Sequence, residues 1–127
     1  MKITIIRLCV LSLLSLLSFQ DPSWVKQVMR KHPNGKPYVI MYFDKDTNKM
    51  MREEVFFSNG KLQWEGNYKN DLEDGKWVYY YESGVVKSEQ MYTKGKENGT
   101  CLDYNAQGKL VKESHWVHGK EVKVIKH

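Results

Sequence analysis

The chain has 127 residues, and its 41% apolar and 28% charged residues exclude a predominantly disordered polypeptide. Its formal charge of +5 falls to +3 without the first 20 residues, a value that gives no indication of nucleic-acid binding. The 8 tyrosines and 4 tryptophans suit the half-buried surface of a sheet, because each has an apolar ring and a polar tip.

Residues 1–20 have the pattern of a secretory signal peptide or N-terminal anchor. Basic residues precede an apolar run from Leu8 to Leu17, and a polar segment follows it. This run is shorter than the roughly 20 apolar residues of a membrane-spanning helix. We expect an extracytoplasmic bacterial protein (periplasmic, secreted or membrane-associated) with cleavage after Ser18 or Gln20. An uncleaved anchor and a buried terminal helix are the alternatives.

Residues 21–37 are predicted to form a short helix and a linker. The helix would lie within Pro22–Lys31, with Ser23 as its N-cap. Four apolar residues would share one of its sides: Trp24, Val25, Val28 and Met29. We expect this helix to cover the first edge of the sheet that follows, because an open edge invites pairing with other chains.

A repeat of 24 residues organises residues 38–127. Two sets of glycines, one set of glutamates and one set of aromatic residues keep this spacing. The sets are Gly60, Gly84 and Gly108; Gly75 and Gly99; Glu65, Glu89 and Glu113; and Tyr68, Tyr92 and Trp116. Four classes of position with one period identify a repeat protein.

Each repeat has the pattern of a β-hairpin. The short turns SNG, ESG and AQG provide glycine where φ can be positive, and apolar and polar residues alternate after the first of them. The recurring glutamate falls on the polar side and the recurring aromatic residue on the packed side. About eight antiparallel strands in a row predict an all-β fold, an elongated meander or open solenoid of hairpins.

The segment KWVYYY, which precedes the turn ESG, is predicted to be a central strand. Trp77, Tyr79 and Tyr81 would share one face, while Val78 and Tyr80 would share the other. Both faces are aromatic or apolar, so neighbouring repeats should cover part of this strand. If Trp77 is fully buried, Trp77→Ala should lower the free energy of unfolding by about 3–5 kcal/mol.

The repeated pattern G-K-x-x-x-E-x-x-Y, followed by a loop and G-K-W-x-Y-Y, resembles the bacterial variant of the MORN repeat. The first unit matches at Gly60, Lys61, Leu62, Glu65, Gly66, Tyr68, Gly75, Lys76, Trp77, Tyr79 and Tyr80. The second matches at Gly84, Glu89, Tyr92 and Gly99, with Thr100 and Cys101 where Lys and Trp are usual. The third matches at Gly108, Lys109, Leu110, Glu113, Trp116, Gly119 and Lys120. The resemblance covers about residues 50–125, and chains of this layout resemble the YwqK-like antitoxin family.

The resemblance implies a hairpin array that contacts other proteins or, in some relatives, membrane phospholipids. The antitoxin label implies a partner toxin, and an export signal would suit an immunity protein of the periplasm or membrane. No catalytic motif, phosphate-binding loop or zinc spacing accompanies the repeats. We therefore expect a non-enzymatic exported protein without cofactors that binds another protein. Binding to an anionic membrane surface is the alternative.

Candidate binding residues lie in the aromatic strand and in the basic C-terminal part of the chain. Tyr79, Tyr80 and Tyr81 would give a protein partner large and rigid contact area. Lys109 and Lys112 belong to a basic segment that would attract anionic lipid headgroups. Ordinary solubility explains these lysines equally well.

Three further features have a structural interpretation that we prefer. His115 and His118 form H-x-x-H, but residues three apart on a strand point to opposite faces, which argues against a shared metal ion. Cys101 is expected to be a buried core residue rather than a reactive thiol. The recurring glutamates are expected to form a row on the wet face and to pair with lysines such as Lys87 or Lys112, rather than to act as acid and base.

Overall fold

The computed structural model describes residues 23–127, which form one antiparallel sheet of ten strands. The strands are β1 Trp24–Lys31, β2 Pro37–Asp44, β3 Met50–Phe56, β4 Leu62–Lys69, β5 Leu72–Tyr80, β6 Val86–Thr93, β7 Lys96–Glu97, β8 Gly99–Tyr104, β9 Leu110–Val117 and β10 Lys120–Lys126. Their spatial order follows the chain, except that the short β7 pairs only with β6. The predicted all-β array of hairpins is confirmed, while the predicted signal segment, residues 1–20, lies outside the described residues.

The sheet is a single open layer. Its edges, β1 and β10, do not pair with each other, and each strand packs against its neighbours in the sheet. Within residues 23–127 no helix and no second sheet covers either face. That part of the chain also has no helix long and apolar enough to cross a membrane. The apolar side chains must therefore shelter one another within the layer.

The helix predicted within Pro22–Lys31 is wrong, because Trp24–Lys31 forms the edge strand β1. Its backbone pairs with β2 from Trp24 opposite Asp44 to Lys31 opposite Pro37. A helix of about ten residues is marginal on its own, whereas the edge of β2 offers hydrogen bonds along the whole segment. The basic side chains of β1 then discourage further pairing at this edge.

Four turns of one form lie at one end of the sheet: 32–36, 57–61, 81–85 and 105–109. In each, the N–H of the first residue donates to the carbonyl of the fifth, and the glycine N–H donates to the carbonyl of the first, at 2.8–2.9 Å. The first turn was not predicted, although its PNGK sequence resembles the SNGK of the second. Strand β1, which precedes this turn, and the two-residue β7 account for the difference between eight expected strands and ten.

Each of the first two turns contacts the next one through an asparagine and a lysine. Asn34 Nδ2 donates to the carbonyl of Ser58 at 2.8 Å, and the Lys36 side chain lies across Gly60, whose φ is +88°. The second turn contacts the third in the same way, since Asn59 Nδ2 donates to a carbonyl of that turn at 3.1 Å. Glycine suits this position, because it adopts a positive φ without strain and leaves room for the lysine.

At the opposite end, the turn between β2 and β3 has one residue with positive φ, Asn48. The three later turns at this end keep the period, and each has two central residues with positive φ: Asn70 and Asp71, Lys94 and Gly95, and His118 and Gly119. This is the type I′ geometry, whose twist matches that of a hairpin. The N–H of Gly95 donates to the carbonyl of Glu73 at 2.9 Å, and that of Gly119 donates to the carbonyl of Glu97 at 2.8 Å. Both ends of the sheet are thus tied laterally from one repeat to the next.

The central aromatic cluster is built around Trp77, which is 5% exposed. Its indole lies on Gly66 of the neighbouring strand, where a Cβ atom would be 2.2 Å from Cδ2 of the ring. Trp64 stacks on it with 5.2 Å between ring centroids, and Tyr68 and Tyr92 contact it at 5.3 and 5.7 Å. A single layer can bury this tryptophan because a glycine lies beneath it and three rings surround it.

We expect Gly66→Ala to lower the free energy of unfolding by about 1–3 kcal/mol, because the new methyl group would overlap the Trp77 ring. Chemical denaturation of the wild type and the variant measures this difference. The matched control is the same substitution in a Trp77→Val background, where its cost should fall below about 0.5 kcal/mol. An equal cost in both backgrounds would show that the tryptophan is not the cause.

Candidate binding faces

Alternation along the strands gives the sheet two different faces. The glutamate face carries Glu54, Glu65, Glu89 and Glu113, and the aromatic face carries Trp64, Tyr68, Trp77, Tyr79 and Tyr92. Val78 lies between Glu65 and Glu89 in the cross-strand register, and Leu102 lies between Glu89 and Glu113. The row of recurring glutamates on one face is therefore present as expected.

Two of these glutamates pair with cations 13 residues upstream, on the preceding strand. Arg52 contacts Glu65 and also donates from Nε to Glu54 Oε1 at 3.2 Å. Lys76, which is the equivalent residue in the next repeat, contacts Glu89. Because Glu54 and Glu65 lie directly opposite each other, Arg52 also screens two like charges.

The prediction that the recurring glutamates pair with Lys87 or Lys112 is wrong. Lys87 lies 5.9 Å from the ring centroid of Tyr81, and Lys112 lies 3.7 Å from Asp103 and 3.8 Å from Glu121. These lysines were chosen because they are close to the glutamates along the chain. On a central strand, however, the nearest side chains on the same face belong to the two adjacent strands. The partner is therefore determined by cross-strand register.

A tyrosine hydroxyl reaches each of the first two recurring glutamates from the following strand. Tyr80 donates to Glu65 Oε1 at 2.6 Å, and Tyr104 donates to Glu89 Oε2 at 3.4 Å, in both cases from 15 residues downstream. One carboxylate thus connects three neighbouring strands, with a cation on one side and a hydroxyl on the other.

The third repeat departs from this arrangement and contains both histidines of the H-x-x-H motif. Thr100 replaces the cation, and Glu113 Oε1 lies 2.9 Å from Nε2 of His115, whose Nδ1 is 3.2 Å from Thr100 Oγ1. His118 lies in the type I′ turn beyond the end of β9. Among residues 23–127 no group of three or more His, Cys, Asp or Glu side chains could hold a metal ion.

Arg52→Gln should lower the free energy of unfolding by about 1–3 kcal/mol, because it removes charged hydrogen bonds and leaves Glu54 facing Glu65. The matched control is Lys76→Gln in the next repeat. The Lys76 side chain is 51% exposed against 25% for Arg52, so its loss should cost less than about 1 kcal/mol. Denaturant titrations measure the free energy of unfolding of both variants. Equal decreases for the two would contradict the larger stabilising role assigned to Arg52.

Burial and nearby carboxylates stabilise the protonated form of several tyrosines. Burial, followed by the charge and hydrogen bond of Glu54, raises the pKa of Tyr42 to about 12. Burial and then the negative potential of Tyr79 and Glu97 raise the pKa of Tyr92 to about 12. For Tyr80, burial and the hydrogen bond to its glutamate also raise the pKa.

These raised pKa values predict a loss of stability at alkaline pH. The contribution of Tyr42 and Tyr92 is fully present below the unfolded pKa of about 10 and is lost as the pH rises through their folded pKa of about 12. The free energy of unfolding should therefore fall from about pH 10 upward. The fall should be less steep for Tyr92→Phe, because phenylalanine at this position has no hydroxyl group to ionise. Absorbance at about 295 nm would contradict this if every tyrosine of the folded protein ionised near pH 10.

An open depression of about 530 Å³ lies on the aromatic face beside the Trp77 cluster. It is lined by Phe57, Gln63, Trp64, Tyr79, Tyr80, Tyr81, Glu82, Lys87, Ser88 and Gln90. The rings of Trp64 and Tyr79 are adjacent, with 6.5 Å between centroids. The depression therefore combines flat apolar rings with amide, hydroxyl and ammonium groups.

The structure brings together three of the five candidate binding residues. Tyr79, Tyr80 and Tyr81 line the depression, although the Tyr81 hydroxyl donates to a backbone carbonyl at 2.8 Å. Lys109 is exposed in the fourth turn, and Lys112 lies in a pair of salt bridges on β9. Neither lysine lines the depression.

Trp64 lines the depression but was not among the predicted binding residues. The alternation of side chains along β4 places Trp64 on the same face as Tyr68. Its contact with Tyr79, however, depends on the pairing of β4 with β5. That pairing is irregular between Gly66 and Tyr68. Gln63, Lys87 and Gln90 were missed for the same reason, because each belongs to the depression only through cross-strand register.

Cys101, the cysteine of the described region, has the role expected of it. It is 6% exposed and lies opposite Ser114, which is 2% exposed. Burial raises the pKa of its thiol, so the protonated, unreactive form is favoured at neutral pH.

The strand order and the recurring turns define a β-hairpin repeat protein. A family model described as the MORN repeat variant matches residues 51–70 and 73–94. These two segments are MORN-variant repeats, and the resemblance to this family is confirmed. Such repeats are modules that bind proteins or membrane surfaces. Membership of the antitoxin family stays a prediction.

The other comparisons add little. No curated protein matches the chain in sequence. Among solved structures, the crystal structure of TarM is similar at 17% sequence identity and a TM-score of 0.39, over 80% of this chain and 21% of the TarM chain. The chain thus spans about a fifth of the length of TarM.

Proposed function

We propose that this chain is a non-enzymatic binding protein whose aromatic face holds a partner protein. The observation that supports this most directly is the depression lined by Trp64 and Tyr79. Tyrosine and tryptophan give large contact area at a low cost in side-chain entropy, and they are enriched among the residues that dominate binding energy. In the next repeat the residues equivalent to Trp64 and Tyr79 are Ser88 and Asp103, so this pair of rings is not repeated there.

Rigidity of the face also supports a binding role. Trp64 is held by Trp77 beneath it, and the turns at both ends are joined from repeat to repeat by hydrogen bonds. A preformed surface loses little conformational entropy when a partner binds. A single-layer sheet leaves such a surface accessible.

We further propose that the chain acts outside the bacterial cytoplasm, as an immunity protein that neutralises a toxin. The signal-like pattern of residues 1–20 supports export, and the similarity of the repeats to antitoxin-type chains supports the choice of partner. Both steps depend on the sequence alone.

The test is affinity capture with the full chain, tagged at its C terminus and expressed in its own host. We expect one protein to be recovered from the envelope fraction, and Tyr79→Ala to lower its recovery about tenfold. The matched control is Tyr104→Ala, whose ring lies on the glutamate face. Circular dichroism and thermal unfolding of each variant exclude loss of the fold as the cause.

Equal recovery with both tyrosine variants would contradict binding through the aromatic face. Flotation with anionic vesicles that disappears at high salt would instead favour the membrane alternative, since screening weakens contacts between lysines and headgroups. In that case Lys109→Gln and Lys112→Gln should weaken flotation while Tyr79→Ala leaves it unchanged.

A further inference from the structure

We propose that a depression between the third and fourth turns holds a lysine side chain of a bound protein. This turn depression has a volume of about 340 Å³ and is lined by Val85, Val86, Glu89, Tyr104 and Gly108. Glu89 and Tyr104 place it on the glutamate face, and among the described residues it shares no lining residue with the aromatic depression. It is therefore a second site, which does not depend on binding through the aromatic face.

The chain itself places a lysine at the equivalent position of the two preceding turns. The Lys36 side chain lies across Gly60, and its Nζ donates to the carbonyl of the residue before that glycine at 3.2 Å. The Lys61 side chain lies across Gly84 in the same way, and its Nζ donates to the corresponding carbonyl at 2.8 Å. This surface therefore accommodates an aliphatic stem over the glycine and an ammonium group beside a carbonyl of the next turn.

The third turn lacks the side chains that make these contacts. Val85 stands where the lysine would be, 24 residues after Lys61, and its Cγ1 would lie 3.6 Å from a Cβ atom on Gly108. Ser83 likewise replaces the asparagine through which the first two turns reach the next one. The glycine of the fourth turn is thus still covered, but valine supplies no ammonium group to the carbonyl beside it.

The turn depression is the space that the shorter side chains leave. Its lining residues correspond, 24 positions earlier, to Lys61, Leu62, Glu65, Tyr80 and Gly84. The glutamate, the tyrosine and the glycine are retained, whereas the lysine and the leucine are both replaced by valine. A lysine from another protein would therefore restore an arrangement that this sheet already contains.

The polar groups around the turn depression are mainly acceptors, which favours a cation. Glu89 is the charged residue of the lining, and its Oε2 accepts from the Tyr104 hydroxyl at 3.4 Å. Its salt bridge to Lys76 involves a side chain that is 51% exposed and therefore screened by water. The carbonyl groups of the exposed residues Ala106 and Gln107 are further acceptors. An ammonium group donates three hydrogen bonds and accepts none, while the methylene stem of a lysine can cover the two valines.

The experiment is a titration of the ¹⁵N-labelled full chain with a capped Gly-Lys-Gly peptide, followed through the backbone N–H resonance of Gly108. We expect a saturable shift with this peptide and none with a peptide that has norleucine in place of lysine, because norleucine keeps the aliphatic stem without the ammonium group. Val85→Lys should abolish the shift, because the chain's own lysine would then occupy the turn depression. Ser83→Lys is the matched control, since it adds the same charge to the same turn outside the lining, and the shift should persist.

A second variant tests the proposal in the opposite direction. Lys61→Val removes the lysine that covers Gly84 and should open an equivalent depression between the second and third turns. The lysine peptide should then shift the N–H resonance of Gly84 as well as that of Gly108. Circular dichroism establishes that this variant is folded, and its result does not depend on the folding of Val85→Lys.

The proposal is overturned if the lysine peptide gives no saturable shift at Gly108, if the norleucine peptide binds equally, or if Val85→Lys binds as the wild type does. A folded Lys61→Val variant that shows no new shift at Gly84 also overturns it. Capture through Tyr79 is a separate measurement on the other face, so either proposal can fail while the other stands.

Discussion

The structure depends on one constraint, which is that a single-layer sheet must cover its apolar side chains from within its own layer. The Trp77 indole shows how this is done, because it lies flat on Gly66 and is enclosed by the rings of Trp64, Tyr68 and Tyr92. Each of these contacts crosses from one strand to the next. Three of these partners lie on β4 and Tyr92 lies on β6, so the burial of Trp77 takes a strand on each side of β5, which the β4–β5 hairpin alone does not provide.

The glutamate face satisfies the same constraint with polar groups. Glu65 accepts contacts from Arg52 on the preceding strand and from Tyr80 on the following one. Its recurrence every 24 residues places a similar connection in the next repeat, between Lys76 and Tyr104. The carboxylate thus links three strands on a face that no second layer covers. Because it is half-buried, its charged hydrogen bonds are stronger than those of exposed ion pairs.

The sequence was sufficient to predict what the 24-residue period and strand alternation determine. The glycines of the turns and the face of each recurring glutamate follow from spacing alone. The partners of the glutamates did not, because Arg52 meets Glu65 only through a cross-strand register that contains bulges. The first strand was missed for another reason. Its apolar residues fit a helical face, and the hydrogen bonds of an adjacent sheet edge outweighed that local preference.

The position of the candidate site follows from where the repeats stop being alike. The residues equivalent to Trp77 are Glu53 and Cys101, and the residue equivalent to Tyr79 in the next repeat is Asp103. These positions lie on a strand in every repeat, whether or not the side chain is aromatic. The aromatic residues of the repeat pattern at these positions are retained in the first unit and replaced in its neighbours, so the rings are concentrated around one depression. A repeat scaffold can acquire a specific surface in this way without a change in backbone, and Trp64 belongs both to that surface and to the packing that buries Trp77.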